Sequence, residues 1–175
     1  MIETHRAKGM IDIRIDDLAF FEGDAIVRPV NAMLQATTPV MRRLEQAAGP
    51  ALSEIVRLSQ PLPVGAAVVT GAGALPVEFL IHGVVASIEE RVTRATVRLA
   101  LMSAMQRAVA FEIRTVAVAP FGLGAGNLDI DDSANIMIEV LTEHMGRSTY
   151  PSSVVIVAET DLELETLRHR MRGPT

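Results

Sequence analysis

The sequence has no cysteine, no tryptophan and one tyrosine, and no lysine follows Lys8. Without cysteine there is no disulfide, no thiolate metal site and no cysteine nucleophile. Aromatics make up 3% of the chain against 49% hydrophobic residues, so the core must be built from Val, Ile, Leu, Ala and Met, which suits a sheet covered by helices. No uncharged apolar run reaches the length of about eighteen residues that a membrane span needs. The opening residues MIETHRAKGM carry charge and no apolar run of signal length, so a soluble, cytoplasmic protein with no membrane partner is expected. A formal net charge of −5 offers no basic face to displace counterions, which argues against non-specific nucleic-acid binding but not against a specific nucleotide ligand. The 175 residues suit one domain, with a core from about 11 to 172.

What is present is organised around Val116 to Ala134, VAVAPFGLGAGNLDIDDSA. A strand over Val116 to Pro120 delivers the loop Gly122-Leu123-Gly124-Ala125-Gly126 to a helix beginning near Ile130. Glycines at alternate positions let successive N–H groups approach an anion, and the helix N-terminus adds its positive dipole end. The spacing matches neither the dinucleotide fingerprint nor the P-loop. Taken alone, it fits a tight turn without ligand as well as a phosphate site.

Ile11 to Ile15 alternates as an edge strand does. Asp16-Asp17-Leu18 follows it, and periodicity favours a solvated turn there. Ala25-Ile26-Val27 is a second strand, ended by Arg28-Pro29 because proline cannot donate to a ladder. Thr38 and Pro39 mark the N-cap and first turn of a helix to Gln46, and Ala51 to Leu58 forms another. Strands Ala66 to Thr70 and Phe79 to Val85 make a hairpin-like pair. His82 in the second of them reads as a hydrogen-bonded core residue rather than a metal ligand, having no second histidine at metal spacing. Thr93 to Glu112 is the longest helix, with Val97, Leu101, Met102, Met105, Ala108 and Val109 in one stripe. The helix from Ile130 is expected to stop at Gly146. Val154 to Ala158 reads as a strand buried on both faces, and Thr160 to Glu163 as a capping box opening the last helix. The tail after Arg172 is expected to fray. Alternation of strands and helices predicts an α/β fold, a three-layer α/β/α sandwich with a mixed central sheet, whose ligands collect beyond the carboxyl ends of the strands.

In this order the residues resemble a known pattern. Asp24 to Asn31 (DAIVRPVN) is similar to the D-A-I-V-N-A-A-N of the macro domain family, which binds ADP-ribose. Ala47 to Leu52 resembles its A-A-G-x-x-L, Pro63 to Ala67 its P-x-G-x-A, Ile81 to Val84 its I-H-x-V, and Gly122 to Gly126 its G-T-G-x-x-G loop. The resemblance implies a macro-like fold without cofactor or metal, and ADP-ribose or an ADP-ribosylated protein as partner. It places Asp17, with Leu18, at the adenine and Asn31 at the distal ribose. It also places Val40 in the loop over the diphosphate, and Gly122, Leu123, Gly124, Ala125, Gly126 and Asn127 around the phosphates. A carboxylate accepting from an exocyclic amine and an amide facing a vicinal diol fit those roles chemically.

The departures are Asp16 for a glycine, Arg28 for the first asparagine, Thr37-Thr38-Pro39-Val40 for the loop G-G-G-V, and Ala158-Glu159-Thr160 where relatives often carry an adenine-stacking aromatic. No residue of the Thr37 loop serves as a general base, and Met41 and Arg42 follow where competent relatives often place an acid. Catalysis is therefore ranked below binding. Three readings stay open: a binding module for ADP-ribose or a related adenine diphosphate, a hydrolase of ADP-ribosyl groups or of ADP-ribose phosphate, and a ligand-free fold acting through protein contacts. The roles open to Arg28 are filling the ribose pocket or pairing with Asp16 or Asp17, or else gripping a ligand's phosphate or carboxylate.

Overall fold

The computed structural model describes residues 9–173; the end of the tail expected to fray lies outside them. Six strands, β1 (Met10–Ile15), β2 (Ala25–Asn31), β3 (Ala67–Gly71), β4 (Phe79–Ala86), β5 (Thr115–Val118) and β6 (Ser153–Ala158), form one sheet in the order β1-β6-β5-β2-β4-β3. All neighbours run parallel except the edge pair β3 and β4. Helices α1 (Pro39–Ala48) and α2 (Pro50–Leu58) cover one face, and α3 (Arg94–Ala110), α4 (Ile130–Arg147) and α5 (Asp161–Arg172) the other.

The alternation of side chains along each strand builds both cores. Ala25, Val27, Val116, Val118, Val154 and Ile156 meet Val97, Leu101, Met105, Met137 and Leu141 on one face. Ile26, Ala117, Val155 and Val157 meet Leu18, Met41, Leu44 and Leu52 on the other. β1 is indeed an edge strand and β6 lies between β1 and β5. The expected caps form: Thr38 Oγ1 accepts from Met41 N–H, and Thr160 and Glu163 bond reciprocally.

Several boundaries differ from the sequence expectation. β2 does not end at Arg28-Pro29 but runs on to Asn31. Val27 C=O accepts from Ala119 N–H on the β5 side, and Pro29, two residues on, turns its nitrogen to the same side, where paired β5 has already ended at Val118. The donor that proline lacks has no partner to lose. β5 itself stops at Val118, releasing Ala119 and Pro120 into the loop. α4 runs through Gly146 to Arg147, because Ser148 N–H still finds His144 C=O and carries the helix end past the glycine. Met102 on α3 is 48% exposed and leaves the expected stripe, whereas Val97, Leu101, Met105 and Ala108 are wholly buried.

Candidate functional site

Three of the five parallel strands, β1, β5 and β6, end at one hollow, a cavity of about 400 Å³ at their carboxyl ends. β1 delivers Asp16, Asp17 and a short 3-10 turn, Leu18–Phe20; β2 leads into α1, which brings Val40, Arg43, Leu44 and Ala47; Pro120 follows β5; and Val157 with Glu159 comes from β6. The floor is aliphatic and the rim charged. Such a lining suits a ligand with a flat apolar part and polar edges.

The residues after β1 are not a plain solvated turn. Asp17 Oδ1 accepts from Ala19 N–H at 2.9 Å and caps the 3-10 turn, which drives Leu18 into the core at 5% exposure. Among the described residues nothing bonds the other carboxylate oxygen of Asp17. Asp16 is occupied, accepting from Asp17 N–H and pairing with Arg14 Nε at 3.3 Å. Asp17, Leu18 and Val40, three of the ten residues singled out from sequence, line the cavity together.

Asn31 does not line it. Its Oδ1 accepts from Met33 N–H and Gln35 N–H while its Nδ2 donates to Gln35 Oε1, so the side chain organises its own loop. A short polar side chain after a strand takes local amides before any ligand.

The glycine loop begins two residues past cavity-lining Pro120. Gly122, Gly124 and Gly126 have φ of 88°, 134° and 77°, which explains the alternate glycines, and a Cβ on Gly122 would lie 2.8 Å from Val97 Cγ2. Asn127 N–H returns to Gly124 C=O and Leu128 N–H to Gly122 C=O, while Asn127 Nδ2 reaches Leu123 C=O. Among the described residues, the amides from Gly122 to Gly126 donate to no backbone carbonyl, and the loop lies against Thr37 and Thr38, each having an atom 3.6 Å from the Cβ position of Gly124. One expectation needs correcting. The N-terminus of α4 is not free for an anion: Asp129 caps it, accepting from Asp132 N–H at 2.8 Å, with Asp131 and Asp132 in the first turn. Three carboxylates there already answer the helix dipole.

Arg28 settles in the core, with neither Asp16 nor Asp17 as partner and away from the cavity lining. It is fully buried; Nε donates to His82 Nδ1 at 2.9 Å, Nη1 to Glu45 Oε1 at 2.6 Å and Nη2 to Leu34 C=O at 2.9 Å. Accepting at Nδ1 leaves the neutral His82 its proton on Nε2, 2.7 Å from Thr70 Oγ1, which donates onward to Gly71 C=O. Burial, then the Arg28 charge, holds the His82 pKa well below the ordinary histidine value, and burial lowers that of Arg28 against the opposing pull of Glu45. His82 is thus the core histidine expected. The network ties β2, β4, α1 and the loop at Leu34 together.

Phe20, Arg43 and Glu159 line the cavity but were not among the residues picked from sequence. Arg43 Nη2 meets Glu159 Oε1 at 3.0 Å, joining α1 to the segment after β6. No spacing rule links positions 43 and 159. The signal for Phe20 was present, a ring three residues past Asp17 in an aromatic-poor chain.

These features define a three-layer α/β/α domain with its candidate site where the parallel strands end. The chain belongs to the macro domain family, whose model, described as Macro domain, matches residues 27–137. An uncharacterized protein of Mycobacterium tuberculosis is 27% identical over 137 residues, covering 77% of this chain, which spans 38% of that protein's length. An O-acetyl-ADP-ribose deacetylase of Klebsiella pneumoniae is 28% identical over 142 residues, 78% of this chain and 81% of that one. The Oceanobacillus iheyensis macrodomain, solved with ADP, superposes with a TM-score of 0.85 at 16% identity over 95% of this chain and 92% of that one.

Proposed function

We propose that the chain binds ADP-ribose or a related adenine diphosphate. The base would lie in the cavity against Leu18, Leu44, Ala47 and Val157, with the unused oxygen of Asp17 accepting from its exocyclic amine. The diphosphate would pass Pro120 onto the amides of Gly122 to Gly126, and Val40 would sit over it. The observation that carries this reading is that Asp17, Leu18, Val40 and Pro120 share one hollow at the entrance to a loop whose amides have no carbonyl partner. The ADP held by the Oceanobacillus macrodomain supports it by analogy of fold. Asn31 enters only as a backbone neighbour, since its amide is already engaged.

Binding ranks above turnover. The first turn of α1, Pro39 to Arg42, carries no acid, and the single acid of that helix, Glu45, is held by Arg28. The deacetylase among the relatives makes hydrolysis the activity to assay for alongside binding. Calorimetry with ADP-ribose, ADP and AMP tests the reading: saturable heat with ADP-ribose that Asp17→Ala weakens is expected. No saturable heat with ADP-ribose at millimolar concentration would overturn it.

A further inference from the structure

The chain has five phenylalanines, and four of them pack against other side chains, Phe111 while still half-exposed. Phe121 is fully buried, Phe21 packs on the core beneath α1, and Phe79 and Phe111 meet edge to face with ring centroids 5.7 Å apart. Phe20 differs. Its side chain is 73% exposed, although Leu18 two residues earlier is driven into the core. It is the one aromatic ring lining the cavity, and it shares the 3-10 turn capped by Asp17. A large ring left in water beside an aliphatic hollow and a free carboxylate oxygen is the chemistry that receives a flat heteroaromatic group.

The corner after β6 offers no such surface. Glu159 N–H donates to Glu163 Oε2 at 2.7 Å and its carboxylate pairs with Arg43, so that position presents charge.

We infer that Phe20 is the stacking platform of this site, holding the ring of a purine while Asp17 on the same turn accepts from its exocyclic amine. This rests on the adenine-diphosphate reading above and assigns the surface that grips the base to the turn after β1. Because Asp17 Oδ1 fixes the turn through Ala19 N–H, platform and acceptor are set by one three-residue element. Base affinity and base identity are therefore decided together.

Phe20 is exposed, so its replacement leaves the core untouched. By calorimetry, Phe20→Ala and Phe20→Leu should each weaken ADP-ribose by about 5- to 100-fold, while Phe20→Tyr retains affinity, because leucine keeps the apolar area but has no π-face. Phe20→Trp gives the protein its single indole, whose emission should be quenched as ADP-ribose is titrated. If the wild type binds ADP-ribose and Phe20→Leu binds it equally well, or the new indole is silent on binding, this inference falls while the functional reading stands. A wild type that does not bind ADP-ribose at all overturns both.

Discussion

Replacing Arg28 with methionine removes a charge from the core without emptying its space, so the cost is set by what the guanidinium leaves behind. Arg28 makes three hydrogen bonds. His82, with no exposed surface, loses the donor at Nδ1, and the buried Leu34 carbonyl loses the donor at its oxygen. Each buried acceptor left unpaired costs about 1 to 3 kcal/mol. Glu45, whose side chain is 27% exposed, can turn to water and adds about 1 kcal/mol or less. Against this stands the relief from burying a cation, which in other proteins makes apolar replacement of a whole buried pair neutral or favourable. The net expectation for Arg28→Met is a loss of about 3 kcal/mol, or about 6 to 12 °C in Tm for a domain of this size. Urea unfolding followed by circular dichroism measures it. Removing the orphaned acceptor as well, in Arg28→Met with His82→Leu, should recover more than about 1 kcal/mol, since the pair shares one network. A single variant that loses less than about 1 kcal/mol, or gains stability, would show that desolvation of the guanidinium outweighs its bonds and that the network does not hold the loop at Leu34.

The same network gives a pH dependence. The folded-state pKa of His82 lies well below its unfolded value, so below about pH 6.5 the unfolded chain takes up a proton that the folded one refuses. The His82 contribution is complete above that pH and is lost on acidification toward the folded pKa, at up to about 1.4 kcal/mol per pH unit; urea unfolding between pH 7.5 and 5 should show His82→Gln less acid-sensitive than the wild type. In the glycine loop, Gly122→Ala combines a positive φ with a Cβ 2.8 Å from Val97, whereas Gly126→Ala meets nothing within 4 Å, so thermal melts should rank Gly122→Ala as the more damaging, with about 1 kcal/mol expected for Gly126→Ala from backbone strain. Thr38→Ala removes the cap of α1 and should cost about 1 kcal/mol, read by the same melts.

Much of the architecture was legible because it rests on local rules. The Thr160 to Glu163 capping box, the Thr38-Pro39 helix start, the alternation of β1 and the antiparallel β3–β4 pair all formed as their residues dictate. The order of the short motifs identified the family without any contact being known. Boundaries failed where a neighbour decided them. Pro29 is tolerated because β5 ends beside it, and Gly146 because a helical hydrogen bond survives past it. The site was half legible. Asp17, Leu18 and Val40 line one cavity, but Asn31 spends its amide on its own loop, and the acids that follow the glycine loop cap α4 themselves.

The sequence by itself determined the element order, the aliphatic composition of both cores, the glycine loop and the carboxylate that follows the first strand, because each depends on residues a few positions apart. Tertiary structure decided what Arg28 does, which arginine meets Glu159 and which phenylalanine lines the cavity. Those outcomes turn on which side chains are brought together from positions 28 and 82, or 43 and 159. A buried cation takes whatever acceptors the fold places around it, and no periodicity in the chain encodes that choice.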